Sequence, residues 1–474
     1  MTLNPADDRF IAHLCQTLPE RLFSAASQRY LEEPRGRWAG QNAWLARPET
    51  TKEVSLLVKA ASVAHVPILP YGGGTGLVGG QIMPDGASPL ILSLERMNKI
   101  REVYACENVL IAEAGAILSD IQTAAARVDR LFPLSLASEG SAQIGGNLAT
   151  NAGGINVLRY GNARDLCIGL EAVLPDGTIW NGLSRLRKDN TGYDLRNLLI
   201  GSEGTLGIIT AAALKLFSRP EKITTAFLKV SSPSAALELL SMLRDHVGET
   251  ISAFELLHKQ GFSFLRETLP DVRLPFDHPS EWMVLLELGE SRNSGGEDAL
   301  ENLLTAGLEK ELLIDGVIAQ SETQRQEFWA VREYIPEANR LIGSVSSHDI
   351  SLPLSEVAEF IDRANKMIAK RGAFRINCFG HLGDGNLHYN VFPISGTTVQ
   401  DYLQERDAIK GDVHDLVHAL HGSVSAEHGV GRLKVADLER YGDPTKLAIM
   451  RSIKGALDPN GIMNPGAVLK LKAP

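Results

Sequence analysis

His381 and His388 stand seven residues apart in the stretch Gly380-His-Leu-Gly-Asp-Gly-Asn-Leu-His-Tyr-Asn390, and the pair Glu427-His428 follows further along the chain. Two imidazoles and a carboxylate form a usable ligand set for a divalent metal. Three protein ligands leave a coordination position open for substrate, which separates a catalytic site from a closed structural one. Nitrogen and carboxylate donors suit Zn2+, and also Mn2+, Fe2+ or Co2+. His428 is not needed as a ligand, and its side-chain type titrates near neutral pH, so it is the candidate proton acceptor. If the segment around His388 is a strand, Asn390, two residues on, faces the same side. Asp384, between Gly383 and Gly385, reads as a turn residue. Arg332, in Trp-Ala-Val-Arg-Glu, offers a planar fork that binds a carboxylate bidentately; a surface pair with Glu333 or Glu337 is the competing reading.

A second chemistry is written in three small-residue loops. The first is Pro70-Tyr-Gly-Gly-Gly-Thr-Gly-Leu-Val-Gly-Gly80, the second Gly145-Gly-Asn-Leu-Ala-Thr-Asn-Ala-Gly-Gly154, the third Gly201-Ser-Glu-Gly-Thr-Leu-Gly207. Glycine lets backbone N–H groups approach a phosphate with no Cβ in the way. The first loop is not the dinucleotide fingerprint, which is G-x-G-x-x-G followed by a helix and an acidic residue, and it is not a P-loop, because no Gly-Lys-Ser/Thr follows.

These groups need a scaffold. A chain of 474 residues with 44% hydrophobic and 22% charged residues implies a globular protein of two or three domains. A net charge of −10 argues against a dedicated nucleic-acid binder. Cys15, Cys106, Cys167 and Cys378 are scattered and form no C-x-x-C pair, which fits reduced thiols. The N-terminal stretch lacks a basic n-region and an apolar h-region, and no uncharged apolar run spans a bilayer. The expectation is a cytoplasmic protein, with peripheral membrane contact left open.

Apolar spacing predicts helix over 8–30, 51–64 (with Thr51 as N-cap), 118–128, 234–247, 298–308 and 402–420. Strands are expected at 66–70, 90–94, 109–115, 227–230 and 282–288. The texture changes near 218. The divisions expected are an N-terminal helical segment over 1–38, a cofactor domain over 39–217, an α+β substrate domain over 218–425, and a returning segment over 426–474.

With the motifs in place, and with Met463-Asn-Pro-Gly466 after them, the chain resembles the FAD-linked oxidases with a vanillyl-alcohol-oxidase (PCMH-type) flavin domain. Within them it is most similar to the D-2-hydroxyacid dehydrogenase branch, which holds D-2-hydroxyglutarate and D-lactate dehydrogenases and the glycolate oxidase flavin subunit. The resemblance runs from about residue 40 to 468. It implies an α+β fold: a two-lobed FAD-binding domain, a cap domain with an antiparallel sheet over the flavin ring, and a C-terminal segment returning to the flavin site. It implies FAD held by Pro70, Gly72, Gly73, Gly74, Thr75, Gly76, Gly79, Gly80, Gly145, Gly146, Asn147, Thr150, Asn151, Gly153, Gly154, Glu203, Gly204, Gly207, Ile208 and Asn464. Some relatives tether FAD through a His in the first loop; Thr75 stands here, so FAD is expected to be non-covalent.

The resemblance also implies zinc on His381, His388 and Glu427, His428 as base, Arg332 and Asn390 on the substrate, and hydride transfer to flavin N5. The implied acceptor is an electron-transfer flavoprotein or a quinone, and a homodimer is compatible. One departure stands out. Relatives acting on 2-hydroxyglutarate usually carry Lys just before a segment such as His348-Asp349-Ile350-Ser351, where this chain has Ser346-Ser347. Either a shorter substrate is used, or Arg340 or Lys434 compensates. The alternatives are a D-lactate or glycolate dehydrogenase, or the flavin subunit of a multi-subunit glycolate oxidase.

Overall fold

Alternation of side chains along nine-residue strands builds one of two packing units in the computed structural model, which describes residues 3–290 and 296–471. The extreme ends of the N-terminal stretch and of the C-terminal tail considered above lie outside those residues. One unit contains the chain up to Gly154, then Gly161–Arg219, then Glu427 onward; the other contains Ile155–Tyr160 and Pro220–Ala426.

The first unit has two main sheets. In one, Trp44–Ala46 and Ile68–Tyr71 both pair in parallel with Leu90–Ser93, and Phe23–Ala25 adds an antiparallel edge. Helix Thr51–Ala64 links the first two of these parallel strands. Its N-cap is Thr50, one residue before the expected Thr51, because the Thr50 hydroxyl accepts from Glu53 N while the Glu53 carboxylate accepts from Thr50 N. Thr51 instead donates to Glu171. The other sheet is antiparallel, in the order Ile100–Tyr104, Val109–Glu113, Ile208–Lys215, Cys167–Val173, Ile179–Gly182. Cys167–Val173 is buried along its whole length, which explains a run without polar alternation.

The long helix expected over 8–30 is broken. Helix Asp8–Leu14 buries Phe10, Ile11 and Leu14, and a strand forms at Phe23–Ala25. Pro19 lies between them; it has no N–H to give and a fixed φ, so the periodic apolar pattern cannot continue as helix.

The second unit is a seven-stranded antiparallel sheet with helices on both faces. The order is Leu313–Ile318, Lys222–Val230, Trp282–Glu290, Ile251–His258, Arg375–His381, Asn386–Phe392, Ser346–Ser351. Successive residues point to opposite faces. Trp282, Val284, Leu286 and Leu288 pack with helices Pro233–Val247, Val357–Arg371 and Arg406–Ala419. Met283 and Leu285 pack on the opposite face, against Phe262 and Leu265 of Lys259–Thr268 and Phe328, Trp329 and Ile335 of Glu322–Ile342. The helix expected from 402 is α-helical over Arg406–Ala419 and 3-10 over Val399–Glu405. Among the described residues no helix is long and apolar enough to cross a membrane.

Candidate active site

The glycine loops line one cavity within the first unit. Strand Ile68–Tyr71 delivers the first loop, short helix Ile144–Ala149 opens the second, and the third precedes strand Ile208–Lys215. The backbone there is packed too closely for side chains. A Cβ at Gly73 would sit 2.1 Å from Ser141 O, and one at Gly204, whose φ is +70°, would sit 2.6 Å from Pro70 Cγ. Of the residues expected to hold the cofactor, Gly79, Asn151, Gly153 and Gly154 do not line the cavity, and the rest do. Asn151 instead accepts from Arg164 N at 2.9 Å, and Gly154 N donates to Glu427 Oε1 at 3.1 Å. These two tie the second loop to residues outside it.

His428 lines the same cavity. The turn that follows it is clamped by Glu203, whose carboxylate accepts from Val430 N at 2.7 Å and Gly431 N at 2.8 Å. Burial pushes the Glu203 carboxyl up, opposed by those two N–H groups and by Lys434 and Arg432. Asn464 donates to Gly80 O and Glu203 O, joining the C-terminal segment to two of the loops. Gln81 was not foreseen; it lines the cavity and donates to Gly76 O at 2.7 Å. An amide directly after Gly79-Gly80 is the signal that could have found it.

In the second unit, strand pleating collects polar groups on the face that carries Phe379 and Phe392. His381 and Asn377 share parity with Phe379, and His388 and Asn390 with Phe392. His388 and Asn390 therefore face the same side. The rings of His381 and His388 are 6.2 Å apart between centroids. Asp349 lies opposite His388 in register, and its carbonyl accepts from Ala426 N at 3.3 Å. Glu427 is the next residue along the chain, where it enters the first unit. Asp384 ends a 3-10 turn and accepts from Asn386 N, as a turn residue does.

Arg332 projects from helix Glu322–Ile342, which packs on this face. It is buried, and its partner is neither Glu333 nor Glu337. Nε donates to Glu255 Oε2 at 2.6 Å, and the guanidinium lies over the Phe379 ring. The other oxygen of Glu255 is 2.6 Å from His381 Nδ1. Glu255, 1% exposed, was missed in the sequence. Burial alone would raise its pKa, but the charges of His381 and Arg332 and their hydrogen bonds outweigh it and hold the carboxyl well below the usual range.

Arg340 and Lys434 are the two cations expected as replacements for a lysine before His348. Arg340 pairs with Glu337 on an exposed helix face at 2.7 Å. Lys434 belongs to the first unit, where its charge acts on Glu203. Ser347 lies opposite Asn390 in register and shares a 2.6 Å hydrogen bond with Ser344.

Residues 219–468 match the family described as FAD linked oxidases, C-terminal domain, and residues 43–182 match the FAD binding domain. The mitochondrial D-2-hydroxyglutarate dehydrogenase of Arabidopsis thaliana is 37% identical over 434 residues, covering 91% of this chain and 76% of the relative. The enzyme of that name from Rattus norvegicus is 38% identical, covering 90% and 78%. A crystal structure of p-cresol methylhydroxylase with substrate bound superposes with a TM-score of 0.78 over the full length of both chains at 17% identity, which is a likeness of fold. The chain belongs to the FAD-linked oxidase family. It is an FAD-dependent oxidoreductase of α+β fold with a PCMH-type flavin domain. The expected cytoplasmic location is overturned by these names, since both relatives are described as mitochondrial.

Proposed function

We propose that this chain oxidises a D-2-hydroxyacid to the 2-oxoacid, with D-2-hydroxyglutarate as the leading substrate. The observation that carries the reading is the polar sheet face holding His381, His388 and Asn390 beside Arg332, in a chain whose relatives carry that activity in their names. Arg332 presents a planar fork suited to the C1 carboxylate, and Asn390 an amide on the same sheet face. His428 takes the hydroxyl proton. Bound FAD, non-covalent because Thr75 offers no imidazole, supplies the two-electron acceptor. An electron-transfer flavoprotein or a quinone is the onward acceptor.

His381, His388 and Glu427 are assigned to a divalent metal. The donor set fits one, because Glu255 engages His381 at Nδ1 and so directs ligation to Nε2, the arrangement found where a carboxylate orients a metal-bound imidazole. When bound by these residues, such a metal would supply the charge that lowers the pKa of the substrate hydroxyl. Zinc suits these donors.

Anaerobic bleaching of the visible flavin band by D-2-hydroxyglutarate, D-malate, D-lactate and glycolate, before and after chelation, tests this. Bleaching by a D-diacid, abolished by chelator and restored by zinc, is expected. Bleaching by D-lactate or glycolate alone moves the assignment to a monocarboxylate dehydrogenase, the reading that Ser347 favours. A flavin-loaded protein that none of them bleaches sinks the substrate class, or makes this the flavin subunit of a larger oxidase.

A further inference from the structure

We infer that Glu255 is a positioning residue that sets the metal-facing imidazole and the substrate-facing guanidinium together. The inference rests on the proposed assignment of His381 to a metal and Arg332 to substrate. Glu255 projects from the strand Ile251–His258 between Phe254 and Leu256, both of which face the opposite core. It is 1% exposed, so its carboxylate has exchanged water for protein partners. Each oxygen has one such partner at 2.6 Å: His381 Nδ1 on one side and Arg332 Nε on the other.

The two bonds do different work. The carboxylate makes His381 Nδ1 the protonated nitrogen, which leaves the Nε2 lone pair to bind a cation. It also pins Arg332 at Nε, so the two Nη groups, which form the bidentate edge, keep one orientation. Among the described residues, the Arg332 side chain is hydrogen-bonded through Nε, to Glu255. One carboxylate thus couples two functions, and its loss moves both.

Substitutions separate this from a buried ion pair that serves folding alone. Glu255→Gln offers one acceptor oxygen to two facing donors and satisfies only one of them. Glu255→Asp keeps the charge but is shorter by one bond, about 1.5 Å, and cannot reach both partners. Flavin-loaded native protein and both variants are stripped of metal and titrated with zinc against a chromophoric chelator. KM and kcat for D-2-hydroxyglutarate are then measured at saturating zinc. Zinc affinity is expected to fall roughly 10–100-fold in the variants. KM is expected to stay raised, on the order of 10-fold, even when zinc saturates, because the Arg332 edge is no longer held. If Glu255→Gln fails to retain flavin, Glu255→Asp carries the test. Variants that bind zinc like the native protein with unchanged KM overturn the inference. Native protein that holds flavin and binds no zinc overturns instead the metal assignment on which the coupling stands.

Discussion

At Ser347 the chain carries a small neutral side chain where the resemblance to hydroxyglutarate dehydrogenases leads to the expectation of a lysine. Ser347 is exposed, lies opposite Asn390 in the sheet, and has Ser344 as its hydrogen-bond partner. Arg340 pairs with Glu337 on an exposed helix face, and the charge of Lys434 acts on Glu203. If the pocket lacks a cation for a distal carboxylate, supplying one changes substrate preference without touching the chemistry. A charge-assisted hydrogen bond contributes about 1.5–3 kcal/mol. Ser347→Lys is therefore expected to raise kcat/KM for D-2-hydroxyglutarate relative to D-lactate by about 10-fold or more. An unchanged ratio would mean that the distal carboxylate is bound elsewhere.

Residue types made part of the site readable. His381, His388 and Asn390 are candidates by residue type and spacing, and Arg332 by its residue type together with the resemblance. Glu255 does not, because a lone acid in Ile251-Ser-Ala-Phe-Glu-Leu-Leu-His258 looks like the polar face of a half-exposed strand. Both faces of that strand are buried. An isolated acid within such an apolar run must have partners, and those partners come from residues 77 and 126 positions away, beyond the reach of local pattern.

Elements were legible where periodicity was long and uninterrupted, as in Thr51–Ala64 and Pro233–Val247. They were misread where one residue overrides the period, as Pro19 does. Caps carry more than boundaries. His258 ends its strand and caps helix Lys259–Thr268, its Nδ1 accepting from Gln260 N at 3.2 Å, with its ring on Trp282. Burial, then the charge of Lys259, lower its pKa to about 4, against a smaller opposing hydrogen bond to Ile376. The unfolded chain protonates this ring near its ordinary value of about 6.5, while the folded chain does not until about 4. The group's contribution is therefore full above the unfolded value and is lost as pH falls through the window down to about 4. The loss is on the order of 3 kcal/mol. His258→Gln keeps an acceptor at the cap and removes the titration. Thermal midpoints measured at about pH 7.5 and about pH 4.5 should differ less in this variant than in the native protein. An equal difference in both would place the acid sensitivity in other groups.

At the scale of the whole molecule, the cavity lined by the glycine loops is assembled from segments that are distant in sequence, and the last of them is bonded to two of those loops. Ile68 N donates to Ile462 O, and Asn464 N donates to Ile68 O, so the C-terminal segment runs beside the strand that delivers the first glycine loop. Arg432 is the tie. Its Nη1 donates to Gly79 O and Gly80 O, each at 3.1 Å, and its Nη2 to Asn464 Oδ1 and Pro465 O, each at 2.9 Å. Burial lowers its pKa to about 10, with Glu203 opposing, so the guanidinium stays charged at neutral pH. Replacing it with Met leaves these acceptors without their donor in a buried place, at a cost of roughly 3–5 kcal/mol. Because FAD binds the folded unit, a looser glycine loop loses cofactor and stability together. Arg432→Met is expected to purify with a lower flavin-to-protein ratio and a lower Tm, part of which excess FAD restores by mass action. Arg432→Lys, which keeps the charge but cannot fork to both segments, should fall between. A Met variant with full flavin content and native Tm would show that the loop holds its shape without the C-terminal segment.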